Sequence, residues 1–340
     1  MKIVRVTSSC STASKRNGSV CRLGGLLVVI GAASESTTAM AQTTVDAAVQ
    51  SQWFTGSLEA PSPALSKGGL SSVEPYVIYT RNTDAYDDRG RHSDGADNLN
   101  QLQSETSIKY GITDRLTVQA LPSFAYSKAG HASSAGIGDL PIEFEYRFNN
   151  ENDKTGWPSV TASLGVRFPT GAYNHLHAAI DGLGAGAYTL KEGLLFQSLF
   201  DTWGGHPVRL RFYGAGFEAM GRVSVHDVSV YGTGQGFQGH AAPGVSGEFG
   251  IGGGYALDQR WVLALDVLEN DANATRVSGH YGGGVPVALA GIYSTSLAVA
   301  PAVEYNWSNR IGIIAGVEFT ADGRNSASYF APQIALSTSF

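Results

Sequence analysis

The chain has 340 residues, enough for one large domain or two ordinary ones. Charged residues make up only 15% of it, against about 25% in typical soluble proteins. A mean hydropathy near zero excludes a bundle of membrane helices, and a net charge of −6 makes nucleic acid a poor candidate partner. The 43 glycines, 15 tyrosines and 14 phenylalanines, without long apolar runs, favour a sheet-rich protein whose strands each have one apolar face.

Residues 1–41 have the organisation of a cleaved secretory signal peptide. Residues 1–22 contain five basic side chains and no acidic one, residues 23–33 are apolar, and a small-x-small cleavage site (AMA) ends at residue 41. The apolar run is too short to span a bilayer, which needs about 20 residues. Both cysteines, Cys10 and Cys21, fall in the part predicted to be removed. The alternative is a buried strand at the start of a soluble domain.

Residues 42–70 form a mixed N-terminal segment that includes Pro61 and Pro63. No stretch after residue 41 is long and apolar enough for a transmembrane helix. With Trp53 and Phe54, this segment could fold into the lumen of the domain that follows as a plug.

From about residue 73 onward, apolar and polar residues alternate with the period of two that is typical of β-strands. In residues 140–148, apolar side chains share one face, whereas Glu143, Glu145 and Arg147 share the other. Such a charged face is natural where it lines a wet lumen while the apolar face meets lipid. The pattern predicts an all-β fold: an antiparallel transmembrane β-barrel over residues 71–340. We expect about twelve strands, with ten or fourteen as alternatives, at residues 73–81, 101–110, 116–128, 140–149, 159–170, 188–201, 207–220, 242–257, 261–270, 288–306, 311–321 and 327–340.

The polar faces of these strands supply the candidate pore-lining residues: Glu143, Glu145, Arg147, Arg167, Arg209, Arg211, Glu248, Asp266, Glu304 and Glu318. Arginines on strands four to seven and acids on strands eight to eleven would form opposed walls, and their field would tune selectivity. The alternative is a set of ion pairs that fills and stabilises a narrow barrel. Twelve strands lie between the filled eight-stranded barrels and the open 16-stranded porins, so we expect a narrow or plugged passage.

Short connections alternate with longer ones, as in outer-membrane barrels with short periplasmic turns. The short turns are predicted at residues 111–115, 258–260 and 307–310, and the polar or glycine-rich loops at 82–100, 129–139, 171–187, 221–239, 271–287 and 322–325. An even strand count places both ends of the barrel in the periplasm. Three turns share one plan, in which a tyrosine ends a strand and an arginine precedes the next; the residues are Tyr110, Arg115, Tyr255, Arg260, Tyr305 and Arg310.

Five motifs occur in order along the chain: EPY at 74–76, YGITDR at 110–115, GIGD at 136–139, YRF at 146–148 and GVRFPTG at 165–171. Together they resemble the family of outer-membrane transporters named for the meta-pathway of phenol degradation, over roughly residues 53–340. The resemblance implies an outer-membrane barrel, often encoded beside operons for aromatic or hydrophobic compounds, and it implies no catalytic residue.

The C-terminus resembles the assembly signal of such barrels, because the terminal Phe340 follows an alternating apolar pattern. We predict that Phe330, Ile334, Leu336 and Phe340 face lipid and that Gln333 faces the lumen. Ala335 and Thr338 depart from the usual signal.

Catalysis, cofactors and metals have little support in the sequence. All eight histidines fall in or beside predicted loops, where they are usually solvated; His175 and His177, with Asp181 nearby, would hold a metal only if that loop folded around it. No spacing singles out a serine, histidine and acid set for hydrolysis. The glycine-rich sequence at 234–239 lacks the βαβ context of a nucleotide site.

The sequence therefore favours a passive channel, without catalysis or cofactor, for small aromatic or hydrophobic molecules in the outer membrane of a Gram-negative bacterium. A structural or adhesive barrel with a filled lumen is the alternative, and a barrel hydrolase is a second one. The expected partners are outer-membrane lipid and lipopolysaccharide, the barrel-assembly machinery and an unidentified solute, but no nucleic acid. An acidic loop, with Asp84, Asp87, Asp88, Asp94 and Asp97, could attract the cations around lipopolysaccharide or simply remain solvated.

Overall fold

The computed structural model describes residues 52–63, 65–93, 99–152, 155–202, 204–282, 284 and 286–340. They belong to one compact unit, Met40–Phe340. The predicted signal peptide and residues 42–51 lie outside the described residues. Within the described ranges, no helix is long and apolar enough to cross a membrane.

The described residues form strands and a single turn of 3-10 helix at Ala179–Asp181. The strands are β1 (Ser71–Tyr86), β2 (His92–Ser93), β3 (Leu99–Thr113), β4 (Leu116–Ala120), β5 (Ser123–Ala129), β6 (Ala132–Ile137), β7 (Leu140–Asn149), β8 (Ser159–Phe168), β9 (Thr189–Asp201), β10 (Pro207–Ala219), β11 (Val223–His226), β12 (Gln238–Ala242), β13 (Ser246–Ala256), β14 (Trp261–Ala272), β15 (Arg276–His280), β16 (Pro286–Ala290), β17 (Ser294–Asn306), β18 (Ile311–Arg324) and β19 (Ala327–Ser339).

Twelve antiparallel strands close into a barrel, which confirms the predicted architecture. The order around the barrel is β1, β3, β4 with β5, β7, β8, β9, β10, β13, β14, β17, β18 and β19. β4 and β5 are two halves of one long strand, because both pair with β3. The barrel closes because β1 pairs with β19 on one side and with β3 on the other.

Alternation along each strand separates an apolar outer face from a polar inner face. On β7, the outward Phe144, Tyr146 and Phe148 are 44–55% exposed, whereas the inward Glu143 and Glu145, which alternate with outward side chains, are buried. Exposed aromatic side chains in continuous rows are costly in water but favourable against lipid. The outer face is therefore suited to a membrane.

Two predicted strands extend too far. The alternation predicts continuous strands over residues 242–257 and 288–306, but the barrel strands begin at Ser246 and Ser294. Within these two ranges, Ala242 and residues 288–290 instead belong to a separate sheet of β11, β12, β15 and β16, hereafter the loop sheet. Pro243 and Gly244 interrupt the first of these predicted strands, since proline cannot donate a ladder hydrogen bond.

The two ends of the barrel differ. Short connections such as those between β13 and β14 or β17 and β18 lie at one end, hereafter the turn end, together with the start of β1 and the last residue. The loop sheet lies at the other, the loop end. There the connection between β8 and β9 also docks beside β11, because His175 N donates to His226 O (3.1 Å) and Leu176 N donates to Val228 O (3.0 Å).

The terminal Phe340 completes the closing seam. Its backbone exchanges two hydrogen bonds with Ser71 (2.9 and 3.0 Å), and its ring is 64% exposed on the outer face. We expect Phe340→Asp to lower the amount of folded barrel in the outer membrane, because it removes the terminal aromatic, whereas Phe340→Tyr should assemble normally. Heat-modifiable gel migration of membrane fractions measures this, and normal levels of the aspartate variant would contradict the role of Phe340 in assembly.

Candidate functional site in the barrel lumen

The ten residues predicted to line the pore occupy inward positions on their strands. Six of them are at most 6% exposed: Glu143, Glu145, Arg209, Arg211, Asp266 and Glu304. The other four are more accessible: Arg147, Arg167, Glu248 and Glu318. Charged groups are buried this deeply only when other groups satisfy them.

Two carboxylates on β7 are paired with lysines from other strands. Lys109 Nζ lies 3.2 Å from Glu145 Oε2, and Lys191 Nζ lies 2.7 Å from Glu143 Oε2. Neither lysine was among the candidate residues, although both fall on inner faces by the same alternation. Each pair spans an intervening strand, so only the register of the closed sheet brings its members together.

A third ion pair crosses the lumen. Arg209 Nη2 on β10 donates to Glu304 Oε1 on β17 at 2.8 Å, and the Glu304 side chain is fully buried. The sequence pattern predicts that the two residues lie on opposed basic and acidic walls. Because they are in contact, their fields largely cancel, and this part of the lumen fits the alternative of filling ion pairs.

The N-terminal segment reaches this ion pair from the turn end. Thr55 N donates to Glu304 Oε2 (2.8 Å), and Thr55 Oγ1 donates to Asn306 Oδ1 (2.8 Å). Just before it, Gln52 Nε2 donates to the carbonyl of Asp258 (2.9 Å), in the turn between β13 and β14. The segment therefore enters the barrel beside two short turns.

Asp266 on β14 holds the segment at its deepest point. Its carboxylate accepts Ser57 Oγ (2.8 Å), Glu59 N (2.9 Å) and Ala60 N (3.3 Å). Hydrogen bonds to a charged acceptor are among the stronger ones, at about 1.5–3 kcal/mol each. The burial of Asp266, which is 1% exposed, is thus compensated by backbone and hydroxyl donors of the segment.

Three arginines satisfy carbonyls of the segment: Arg209 donates to Gly56, Arg211 to Ala60 (3.3 Å) and Arg147 to Pro63 (2.9 Å). Arg209 also lies over the ring of Phe54, with 4.3 Å between the guanidinium carbon and the ring centroid. A polypeptide inside a lumen has many carbonyl groups that do not contact water, and leaving them without donors costs free energy. The arginine donors offset this cost and so stabilise the segment in the lumen.

The segment then returns to the turn end before β1 begins. Thr117 Oγ1 donates to Ser66 O (3.4 Å), Gly68 N donates to Asp114 Oδ1 (3.0 Å), and Gly69 N donates to Gly111 O (2.8 Å). Entry and exit thus lie at the same end of the barrel, with residues 57–60 inserted farthest.

Small residues on the inner wall make room for the segment. Leu58 packs into a cluster with Ala264, Ala300, Ala302, Ile314 and Ala335. It is 4% exposed, and burying a leucine contributes about 2 kcal/mol. A Cβ on Gly312 would overlap Thr55 Oγ1, and one on Gly111 would overlap the carbonyls of Ser66 and Lys67. Wall and segment are therefore complementary in shape as well as in hydrogen bonding.

Glu59 is an acid that faces other acids. Gln333 Nε2 donates to its carboxyl, and Glu318 lies nearby. Burial raises the pKa of Glu59 well above its usual range, and the charge of Glu318 raises it further. Glu59 was not among the candidate residues, and its position after Leu58 in an irregular segment carries no periodic signal.

Hollow space remains between the segment and the loop end. One cavity of about 520 Å³ contains Gln101, Gln103, Glu105 and Tyr231 in its lining, and a second of about 250 Å³ lies beside Asn270 and Ser296. Arg167 borders both cavities, with its guanidinium carbon 5.6 Å from the centroid of the Phe217 ring. The loop-end half of the lumen is thus polar, open and partly roofed by connections.

The three tyrosine and arginine turns lie at the turn end. Tyr110 and Tyr255 are outward and 47% and 37% exposed, and Tyr305 contacts Trp261 (4.7 Å between ring centroids). Arg260 Nη1 donates to the hydroxyl of Tyr305 at 3.4 Å. Arg115 and Arg310 lie in the other two turns and are exposed.

Asp258 shows how such a turn is fixed. Its carboxylate accepts the backbone N–H groups of Trp261 (2.8 Å) and Arg260 (2.7 Å), and these bonds lower the pKa of Asp258 below its usual range. Short-range bonds of this kind are the reason that aspartate favours tight turns.

The histidine group considered as a metal site does not come together. His175 Nδ1 lies 2.8 Å from Asp227 Oδ2 and its ring stacks on His226, away from the expected set with His177 and Asp181. In the described part of the chain, no three His, Cys, Asp or Glu side chains are grouped so that they could hold a metal ion.

No protein-family model matches the chain, and no curated protein matches it in sequence. Its fold is similar to the crystal structure of an outer membrane channel from Pseudomonas putida F1, with a TM-score of 0.59, 14% identity, and coverage of 83% of this chain and 100% of that one. A mutant of the monoaromatic hydrocarbon channel TodX gives a TM-score of 0.43 at 12% identity, covering 82% of this chain and 93% of that one. The transport unit of the autotransporter AIDA-I from Escherichia coli gives 0.45 at 10%, covering 88% and 98%. The likeness to the P. putida structure supports the barrel fold.

Proposed function

We propose that the chain is a passive outer-membrane channel for small aromatic or hydrophobic molecules, working without a cofactor and without catalysis. The observation that carries the proposal is the division of the lumen. Its turn-end half is occupied by the N-terminal segment, held without covalent bonds, whereas its loop-end half is hollow. A segment fixed by hydrogen bonds to the wall is a removable plug, and the hollow half is an entrance.

The solute class rests on the motif resemblance to the phenol meta-pathway transporters. The motif residues also have structural roles: Asp139 of the GIGD motif accepts Gly171 N (3.0 Å) and Ala185 N (2.8 Å) and so ties two connections together above the entrance. The P. putida structure, named an outer membrane channel, supports the fold on which the proposal is built. We further propose a Gram-negative host, export by the predicted signal peptide, and insertion by the barrel-assembly machinery.

A structural or adhesive barrel with a filled lumen is the second candidate. The buried pairs Arg209–Glu304, Lys109–Glu145 and Lys191–Glu143 favour it, because they fill the lumen without requiring a solute.

Single-channel recording in planar bilayers separates the two candidates. We expect the whole protein to give small conductance steps, and a variant lacking residues 52–66 to give larger ones, because the wall around the segment would then be open. The uptake of a radiolabelled monoaromatic solute into cells should rise in parallel. A barrel that neither conducts nor admits the solute, with or without residues 52–66, would reject the channel and support the filled barrel.

A further inference from the structure

The loop sheet has one covered face and one free face. The covered face carries Val225, Phe237, Ala241 and Val277, which pack together with Tyr231 and Tyr281. Tyr231 also lines the larger cavity of the lumen and donates to the carbonyl of Ala185. The covered face is therefore turned toward the entrance, and the free face is turned away from it.

The free face is basic, in a chain whose net charge is −6. Cross-strand register brings Ala242 opposite Arg276, and His240 opposite both Ser224 and Ser278. The ionisable side chains that the described strands place on this face are basic or imidazole groups: His226, His240, Arg276 and His280. Arg222 comes directly before β11 in the chain.

A pocket of about 350 Å³ opens between these basic groups. Arg222, His240 and Arg276 line it together with Ser278 and the small or apolar side chains of β16. Among the described residues, none of the three basic side chains makes a hydrogen bond or ion pair. On the inner face of the barrel, Lys109, Arg147, Lys191, Arg209 and Arg211 all do, and Arg167 instead contacts the ring of Phe217. Two arginines that line one pocket without an acidic partner suit an anion, and guanidinium groups match the oxygens of carboxylate and phosphate.

The position of the pocket identifies the source of the anion. It lies just above the barrel wall, and the connections beneath it expose apolar side chains: Met220 (60%), Val245 (47%) and Ile292 (66%). An apolar rim below a basic pocket matches the junction between acyl chains and charged head groups. Two outward carboxylates, Glu218 and Glu269, lie near the ends of β10 and β14. They would repel an anion from the barrel rim, so an anion is favoured only beside the basic groups of the pocket.

We propose that Arg222, His240 and Arg276 form a binding site for the phosphate groups of lipopolysaccharide in the outer leaflet. The arginines pair with phosphate oxygens, His240 adds a hydrogen bond, and the exposed apolar residues below contact the acyl chains. The site holds the loop sheet against the membrane surface and so keeps the roof of the lumen in place. This rests on the outer-membrane location proposed above, but not on transport.

The test is equilibrium binding of purified lipopolysaccharide to the full barrel in detergent, with EDTA present to remove cation bridges. The same lipid after enzymatic dephosphorylation is the matched ligand, and inorganic phosphate is the competitor. Arg222→Gln/Arg276→Gln is compared with Arg89→Gln/Arg324→Gln, which removes the same charge from exposed arginines outside the pocket. Because none of the four arginines is buried, both variants should fold, and heat-modifiable migration checks this.

We expect the pocket variant to bind lipopolysaccharide more weakly, by roughly tenfold or more, because its arginines no longer donate hydrogen bonds to the phosphate. The control variant, whose arginines lie outside the pocket, should bind like the unaltered barrel. Equal binding of phosphorylated and dephosphorylated lipid would overturn the proposal. Equal affinities of the two variants for lipopolysaccharide would also overturn it. A third contrary result would be complete displacement of lipopolysaccharide by inorganic phosphate at concentrations near the dissociation constant of phosphate, because the site would then bind free anions. Conductance does not enter any of these outcomes, so the channel proposal can fail separately.

Discussion

Asp266→Ala is expected to raise the single-channel conductance of the barrel severalfold. In the described structure, the hydrogen bonds to this carboxylate come from Ser57, Glu59 and Ala60 of the N-terminal segment. Losing even one bond to a charged acceptor shifts the docking equilibrium about tenfold toward release. The substitution removes the main anchor at the deepest point of the segment, and it leaves the strand ladder of β14 intact.

The control for this experiment is Glu269→Ala, which removes an outward, exposed acid from the same strand. Both variants should insert into planar bilayers as folded barrels, and only Asp266→Ala should open further. Limited proteolysis gives a second measurement, because a released segment should be cut near Trp53 while the barrel resists. Unchanged conductance together with an uncut segment in Asp266→Ala would show that Asp266 does not hold the plug.

Glu304→Ala is expected to destabilise the barrel by about 3–5 kcal/mol, because it leaves the Arg209 guanidinium buried without its carboxylate. Among the described residues, Arg209 would keep only the carbonyl of Gly56 and the ring of Phe54 as partners. Urea unfolding of the barrel in lipid vesicles, followed by tryptophan fluorescence, measures the change in the free energy of unfolding.

Asp87→Ala is the matched comparison, because its pair with Arg91 is as short (2.7 Å) but exposed, and its loss should leave stability nearly unchanged. The double variant Arg209→Met/Glu304→Met should recover much of the loss, since replacing both partners removes the uncompensated charge. If Glu304→Ala unfolded at the same urea concentration as Asp87→Ala, the pair would not be a structural element.

The barrel itself could be predicted because lipid demands an apolar row on every strand. Phe144, Tyr146 and Phe148 show the period of two directly, and twelve such rows give the strand count. The two overlong strands mark the limit of this reasoning, because β12 and β16 are also extended but pair outside the barrel. Periodicity indicates that a segment is extended, but it does not indicate which sheet the segment joins.

Much less of the site could be predicted. Alternation placed Asp266 and Glu304 on the inner face, but their partners depend on how an irregular segment folds back against them. The segment has no period, so its match to Gly111 and Gly312 exists only in three dimensions. The same alternation places Lys109 and Lys191 on the inner face, but their partners follow only from the register across three strands.

The surface that receives residues 54–60 has a consequence for the order of folding. Its groups come from β10, β14, β17 and β19, through Arg209, Asp266, Glu304 and Gln333. Gln333 lies on β19, so this surface is complete only once the last strand has joined the sheet. Residues 54–60 precede every described strand, yet part of their docking surface comes from the last of these strands. We therefore expect the segment to dock late, as one of the last steps in the folding of the barrel.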